Sequence, residues 1–353
     1  MDSAVFIEVL IIGYLLLTVY LANQVFASET LHGERVRFLL YGAAILIGLL
    51  GLYVVFAAMF SAQVATLSPE ERAEAQVTDV SEVGFGWVIF ALLIVTIAGY
   101  AIIMLINSQD TRHWLRERLP KTATYSPASI VHETAVVFVI LMITIALTSF
   151  AAAGGTQGVA EQLDEGISPS DLLIQAVVQV IVAVLGVGYL IRRDLPQMLE
   201  RLGLRIPTQE DFTYGFGGGF VLYVGAVVFT GLLTIIFSPE QIAEQSEAAE
   251  NLASAFLTVP LALLLASSAA IGEEVFFRGA IQPVFGLIPT AAFFTLMHSQ
   301  VLFTPGMIWI FAVGVVLGWI RQTHSTSAAI FAHFTYNLIL LLAQILLQSP
   351  GGA

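Results

Sequence analysis

Three short runs, I-G-E-E-V-F-F-R-G at 271–279, F-F-T-L-M-H at 293–298 and A-H-F-T-Y-N at 332–337, set two carboxylates, an arginine, two histidines and an asparagine into apolar sequence. Ionisable groups at membrane depth are costly enough to mark a functional site by default. The apolar sequence around them recurs from end to end of the chain. Hydrophobic residues make up 58% and charged residues 11%, against roughly 45–50% and 25% in soluble domains. Runs long enough to span a bilayer alternate with short polar links, so the expected fold is an all-α, polytopic transmembrane helix bundle rather than a barrel.

A window of about 20 residues places spans near 4–25, 37–60, 84–107, 130–153, 171–191, 212–237, 260–285, 289–303, 306–321 and 327–347, about ten in all. The eighth is short and carries a histidine, which suits a tilted or re-entrant segment. Charge alternates between successive links. Arg35 and Arg37, Arg112 to Lys121, Arg192 to Arg205, and Arg321 fall on one side, while Glu70–Glu82, Glu161–Asp171 and Glu240–Glu250 fall on the other. Because basic links stay in the cytoplasm, both termini are expected outside a multi-pass cell-membrane protein. The first span follows Asp2 rather than a basic segment and is longer than a signal-peptide core, so it is expected to be retained.

The longest basic link, around 192–211, contains Pro196 and Pro207 and suggests a division into an N-terminal region of five spans, 1–205, and a C-terminal region, 206–353. In the first, Glu8 is the one charge embedded in a span, and the region reads as scaffold. In the second, the glycines of Y-G-F-G-G-G-F (214–220) and the pair Gly314 and Gly318 read as close helix packing, not phosphate binding. Residues 239–259 read as an amphipathic outer helix. The net charge of −13 disfavours nucleic acid and leaves membrane lipid and a membrane-anchored peptide or protein as the expected partners. With no cysteine, disulfides, thiolate metal sites and a cysteine nucleophile are excluded.

Glu274 and Arg278 are four residues apart and share a helical face, whereas Glu273 points about 100° away. The two carboxylates are therefore expected to differ in role. At 1.5 Å per residue, Glu273, His298 and His333 lie roughly 18, 14 and 9 Å from the expected cytoplasmic ends of their spans. They can meet in a cavity open to the cytoplasm. Two chemistries suit such a group. Glu273 and His298 could activate a water while His333 and Asn337 stabilise an oxyanion. Alternatively, Glu273, His298 and His333 could bind a catalytic Zn²⁺.

The motifs E-E-V-F-F-R-G, F-T-L-M-H and H-F-T-Y-N resemble the three motifs of the CAAX-protease and bacteriocin-processing intramembrane proteases (CPBP or ABI), which include the type II CAAX prenyl endopeptidases. The resemblance covers about 255–345. It implies a hydrolase with a membrane-embedded cavity, of glutamate type or metalloprotease type. Glu273 would be the general base and His298 its partner, Glu274 and Arg278 would order the site, and His333 and Asn337 would bind water or oxyanion. The expected activity is endopeptidase cleavage of a membrane-anchored or lipidated substrate. The alternative is a non-catalytic binding or immunity scaffold of the same fold. Site-2-type chemistry would need H-E-x-x-H, and H-E-T-A-V at 132–136 lacks the second histidine.

Overall fold

An apolar segment in lipid has no water to satisfy its peptide groups and must close its hydrogen bonds internally. The computed structural model describes residues 3–28, 33–68, 70, 84–164, 168–254 and 256–348, and among them the chain is built of helices with no strand. Nine helices among the described residues are long and apolar enough to cross a membrane. They are α1 (Ser3–Ala27), α2 (Gly33–Ala65), α3 (Phe85–Asn107), α5 (Ile130–Ala152), α7 (Pro169–Gly186), α9 (Gln209–Ile236), α11 (Val259–Phe285), α13 (Gly306–Thr323) and α14 (Thr326–Gln348). Shorter helices lie between them: α4 (Gln109–Arg118), α6 (Thr156–Asp164), α8 (Leu195–Leu202), α10 (Pro239–Ser254) and α12 (Leu287–Leu296).

Local chemistry sets many of these boundaries. Asp194 and Thr208 each form a reciprocal capping box at the start of α8 and α9, satisfying N–H groups that a helix start leaves open. The fifth span ends at Gly186, short of the expected 191, and Gly188 (φ 88°) and Leu190 (φ 63°) turn the chain through the left-handed region. The eighth span departs further from its expected helix. Only Leu287–Leu296 is α-helical, a rise of about 15 Å, and the chain continues through His298 into a single 3₁₀ turn, Ser299–Val301.

The links sort to two ends of the bundle as their charges require. At one end Thr124 N–H donates to Pro283 O, Thr326 N–H to Gly203 O, and Arg37 and Arg112 both reach Glu133. At the opposite end Asn251 Nδ2 donates to Ala160 O and Thr156 Oγ1 to Leu302 O. All the links that meet at the first end were expected inside, and all those at the second outside. Glu133, in the first turn of α5, is a buried charge of the N-terminal half that the span pattern did not single out. The side chain of Glu8 lies outside the described residues.

An apolar core crosses residue 205. Leu105, Val136, Ala183, Met198 and Leu202 pack with Val275–Phe277 and Phe293–Phe294. Small residues let the C-terminal helices approach. A Cβ on Gly219 would lie 2.6 Å from Ala332 O, and one on Gly314 would lie 3.3 Å from Ala291 Cα. The Gly-rich run and the Gly314/Gly318 pair are thus packing surfaces, as their spacing suggested. Outward-facing side chains such as Phe56, Ile97 and Ile235 remain exposed, which in a bilayer means facing lipid.

Candidate active site

The site is carried by α11, α12 with the turn after it, and α14. In α11 the α-helix gives way to a π-helical segment over Glu274–Ile281 and resumes over Gln282–Phe285. A local cause is Pro283. It has no N–H, so it can close neither the wide i→i+5 bond to Arg278 O nor the ordinary i→i+4 bond to Gly279 O. Two arginines supply the missing donors. Arg321 Nε donates to Arg278 O (3.2 Å), and Arg201 donates to Gly279 O (3.0 Å) and Ala280 O (3.4 Å). Neither contact follows from periodicity, but a proline inside an apolar helix announces unpaired carbonyls nearby.

The two neighbouring carboxylates have opposite surroundings. Glu274 is fully buried, with Arg278 Nη1 at 3.1 Å and His333 Nδ1 at 2.9 Å from its Oε1. Arg278, also buried, donates to Gly314 O and lies 4.2 Å above the Phe294 ring. Glu273 is partly exposed, and His298 Nε2 lies 4.0 Å from its Oε2. No protein donor among the described residues reaches that oxygen or Glu274 Oε2, though both atoms are buried.

His298 is oriented by its own chain. Its Nδ1 lies 2.7 Å from Phe294 O, and a carbonyl can only accept, so Nδ1 carries the proton. In the neutral ring Nε2, the atom facing Glu273, is then an acceptor. The same reasoning holds for His333, whose Nδ1–H donates to the Glu274 carboxylate. Phe294 joins the two histidines, with ring centroids 4.4 Å from His298 and 6.2 Å from His333.

Five of the six expected residues thus fall into a pair, Glu273 with His298, and a buried network, Glu274–Arg278–His333. Asn337, one turn beyond His333 on α14, is half-buried and makes no hydrogen bond among the described residues. His333 gives Nδ1 to Glu274 and keeps Nε2 open, an arrangement that suits a hydrogen-bond donor and a metal ligand alike. Among the described residues no three His, Cys, Asp or Glu side chains gather as a metal-binding group.

Residues 255–339, which hold all three motifs, match the family model described as type II CAAX prenyl endopeptidase Rce1-like. No curated protein and no solved structure matches the chain. The C-terminal segment is thus similar to the CAAX-protease family over these residues, within a chain whose helices are long and apolar enough for a multi-pass membrane protein.

Proposed function

We propose that the protein is an intramembrane endopeptidase in which Glu273 and His298 activate a water for attack on a peptide carbonyl of a membrane-anchored or lipidated substrate. One observation supports this reading above the others: two acceptor atoms, Glu273 Oε2 and His298 Nε2, face each other at 4.0 Å. Neither can donate to the other when Glu273 is ionised and His298 neutral. A water bonding to both along legs of about 2.8 Å satisfies such a pair and spans roughly 4–4.5 Å between acceptors. Its lone pairs then face away from both bases, where a carbonyl carbon can be attacked.

In this mechanism the water oxygen bonds to the carbonyl carbon while its proton passes to the Glu273–His298 pair, which returns it to the leaving amine. We assign oxyanion stabilisation to His333 and Asn337. With Nδ1 committed to Glu274, His333 donates through Nε2 only as the imidazolium. Glu274 and Arg278 act by positioning. We assign the site to the cytoplasmic side from the basic links at the nearer ends of α11 and α14.

The test compares peptide termini across the membrane proteome of cells carrying either the wild-type chain or Glu273→Gln. New termini that depend on the wild type support the protease and name its substrate. Identical termini in the two strains, with a phenotype shared by both and distinct from a deletion, would make the protein a binding scaffold.

A further inference from the structure

The turn after α7 and the helix α8 rest on the π-helical segment of α11, since Val187, Met198 and Leu202 share one apolar cluster with Val275, Phe276, Phe277 and Ile281. This contact brings four arginines together. Arg201 and Arg321 hold adjacent carbonyls at 278–280. Arg321 also closes on Gly203, where an added Cβ would sit 3.1 Å from its Cζ. Arg192 and Arg193 stand on the turn, Arg192 Nε donating to Asn23 Oδ1 and Arg193 Nη1 to Val187 O.

All four are half-buried, and among the described residues none forms an ion pair. The acids of the same link are otherwise engaged or turned to solvent. Asp194 caps α8, Asp211 takes Arg205, and Glu200 is exposed. Carbonyl oxygens satisfy hydrogen bonds without neutralising charge, so four cations remain together with no counter-charge. The strain is visible outside the spans. Burial, and for Arg201 the neighbouring Arg193, Arg321 and Arg192, pull the Arg192 and Arg201 guanidiniums down to about 10. The arginine nitrogens that are buried without a partner belong to Arg112 and Arg278, so the free N–H groups of these four reach the surface.

We propose that Arg192, Arg193, Arg201 and Arg321 form a binding site for a phosphate group carried by an anionic phospholipid headgroup at the inner end of the bundle. Guanidinium forks match phosphate oxygens, and basic pockets between membrane helices on the cytoplasmic side bind such headgroups. Because Arg201 and Arg321 also hold the π-helical segment that carries Glu274 and Arg278, the bound lipid steadies the catalytic helix.

The test titrates dioctanoyl-phosphatidylglycerol into the full chain held in zwitterionic micelles and reads the thermal unfolding midpoint. Parallel titrations use inorganic phosphate and dioctanoyl-phosphatidylcholine. The wild type is expected to gain stability with phosphatidylglycerol alone. Arg192→Gln with Arg193→Gln should weaken the apparent lipid affinity roughly 30-fold, while Arg116→Gln with Arg118→Gln, a control at the same end, should not. Arg193→Gln alone, which leaves the Arg192–Asn23 bond, serves if the double variant fails to fold. An equal loss in the control pair would reduce the effect to general surface charge and overturn the site. An equal shift with inorganic phosphate would overturn the lipid as its source. This inference stands apart from proteolysis, since the readout is lipid binding and not turnover.

Discussion

Glu273 and Glu274 are adjacent in sequence, yet the same substitution should act on them in opposite ways. Glu274→Gln removes the nearest counter-charge of Arg278, which is 1% exposed and 3.1 Å away, and weakens the 2.9 Å bond from His333. Breaking a buried ion pair by removing one partner costs about 3–5 kcal/mol. The glutamine carbonyl still accepts from His333, which places the expected loss near 3 kcal/mol, or about 4 °C in unfolding midpoint for a chain of this length. Glu273 loses no protein hydrogen bond on the same change, so Glu273→Gln should stay within about 0.5 kcal/mol of the wild type while losing turnover. The assay pairs thermal unfolding in detergent with cleavage of the substrate identified from the membrane proteome. The division of roles between the two carboxylates fails if Glu274→Gln unfolds like the wild type, or if Glu273→Gln is the less stable of the two.

Other consequences are as direct. Gly219→Ala drives a Cβ to 2.5 Å from Thr335 Cβ and 2.6 Å from Ala332 O, so it should cost about 1–3 kcal/mol; Gly217→Ala, with nothing within 4 Å, should gain up to about 1 kcal/mol, and unfolding midpoints in the reverse order would contradict the close α9–α14 packing. Glu133→Gln strands Arg112 in the buried cluster with Arg37 and should lower the midpoint by the equivalent of about 3 kcal/mol with turnover per folded molecule unchanged. Arg201→Met leaves the Gly279 and Ala280 carbonyls without their donor at about 1–3 kcal/mol; in a Pro283→Ala background, where a backbone N–H returns, the same change should cost measurably less, and strict additivity of the two would refute the account of the π-helical segment.

How much of this was readable before the structure depends on the range of each interaction. The Glu274–Arg278 pair and the separate direction of Glu273 follow from spacing on one helix, and they survive the change to a wider turn because only three residues intervene. The sorting of links to two ends follows from charge, a property of composition. His333 choosing Glu274 over Glu273 was not readable, since it depends on how far α14 is rotated about its own axis, and that rotation is set by Gly215 and Gly219 seating on Phe331, Ala332 and Thr335. Glu133 was missed for the same reason: its partners lie on α2 and α4, and no local pattern links them.

The choice made by His333 also bears on the chemistry. Its Nδ1 is given to Glu274, while its Nε2 stays open to a water, an oxyanion or a metal ion. The bond leaves Glu273 Oε2 and His298 Nε2 facing each other and places a buried cation–carboxylate–imidazole chain behind them. In the proposed mechanism the charges of Arg278 and Glu274 offset each other in lipid, and the Glu274 carboxylate holds the His333 ring in place beside the reacting carbonyl. Water attack adds no net charge to the site: it moves negative charge from Glu273 to the oxyanion, and low-dielectric surroundings increase the energetic worth of the donors that meet it there.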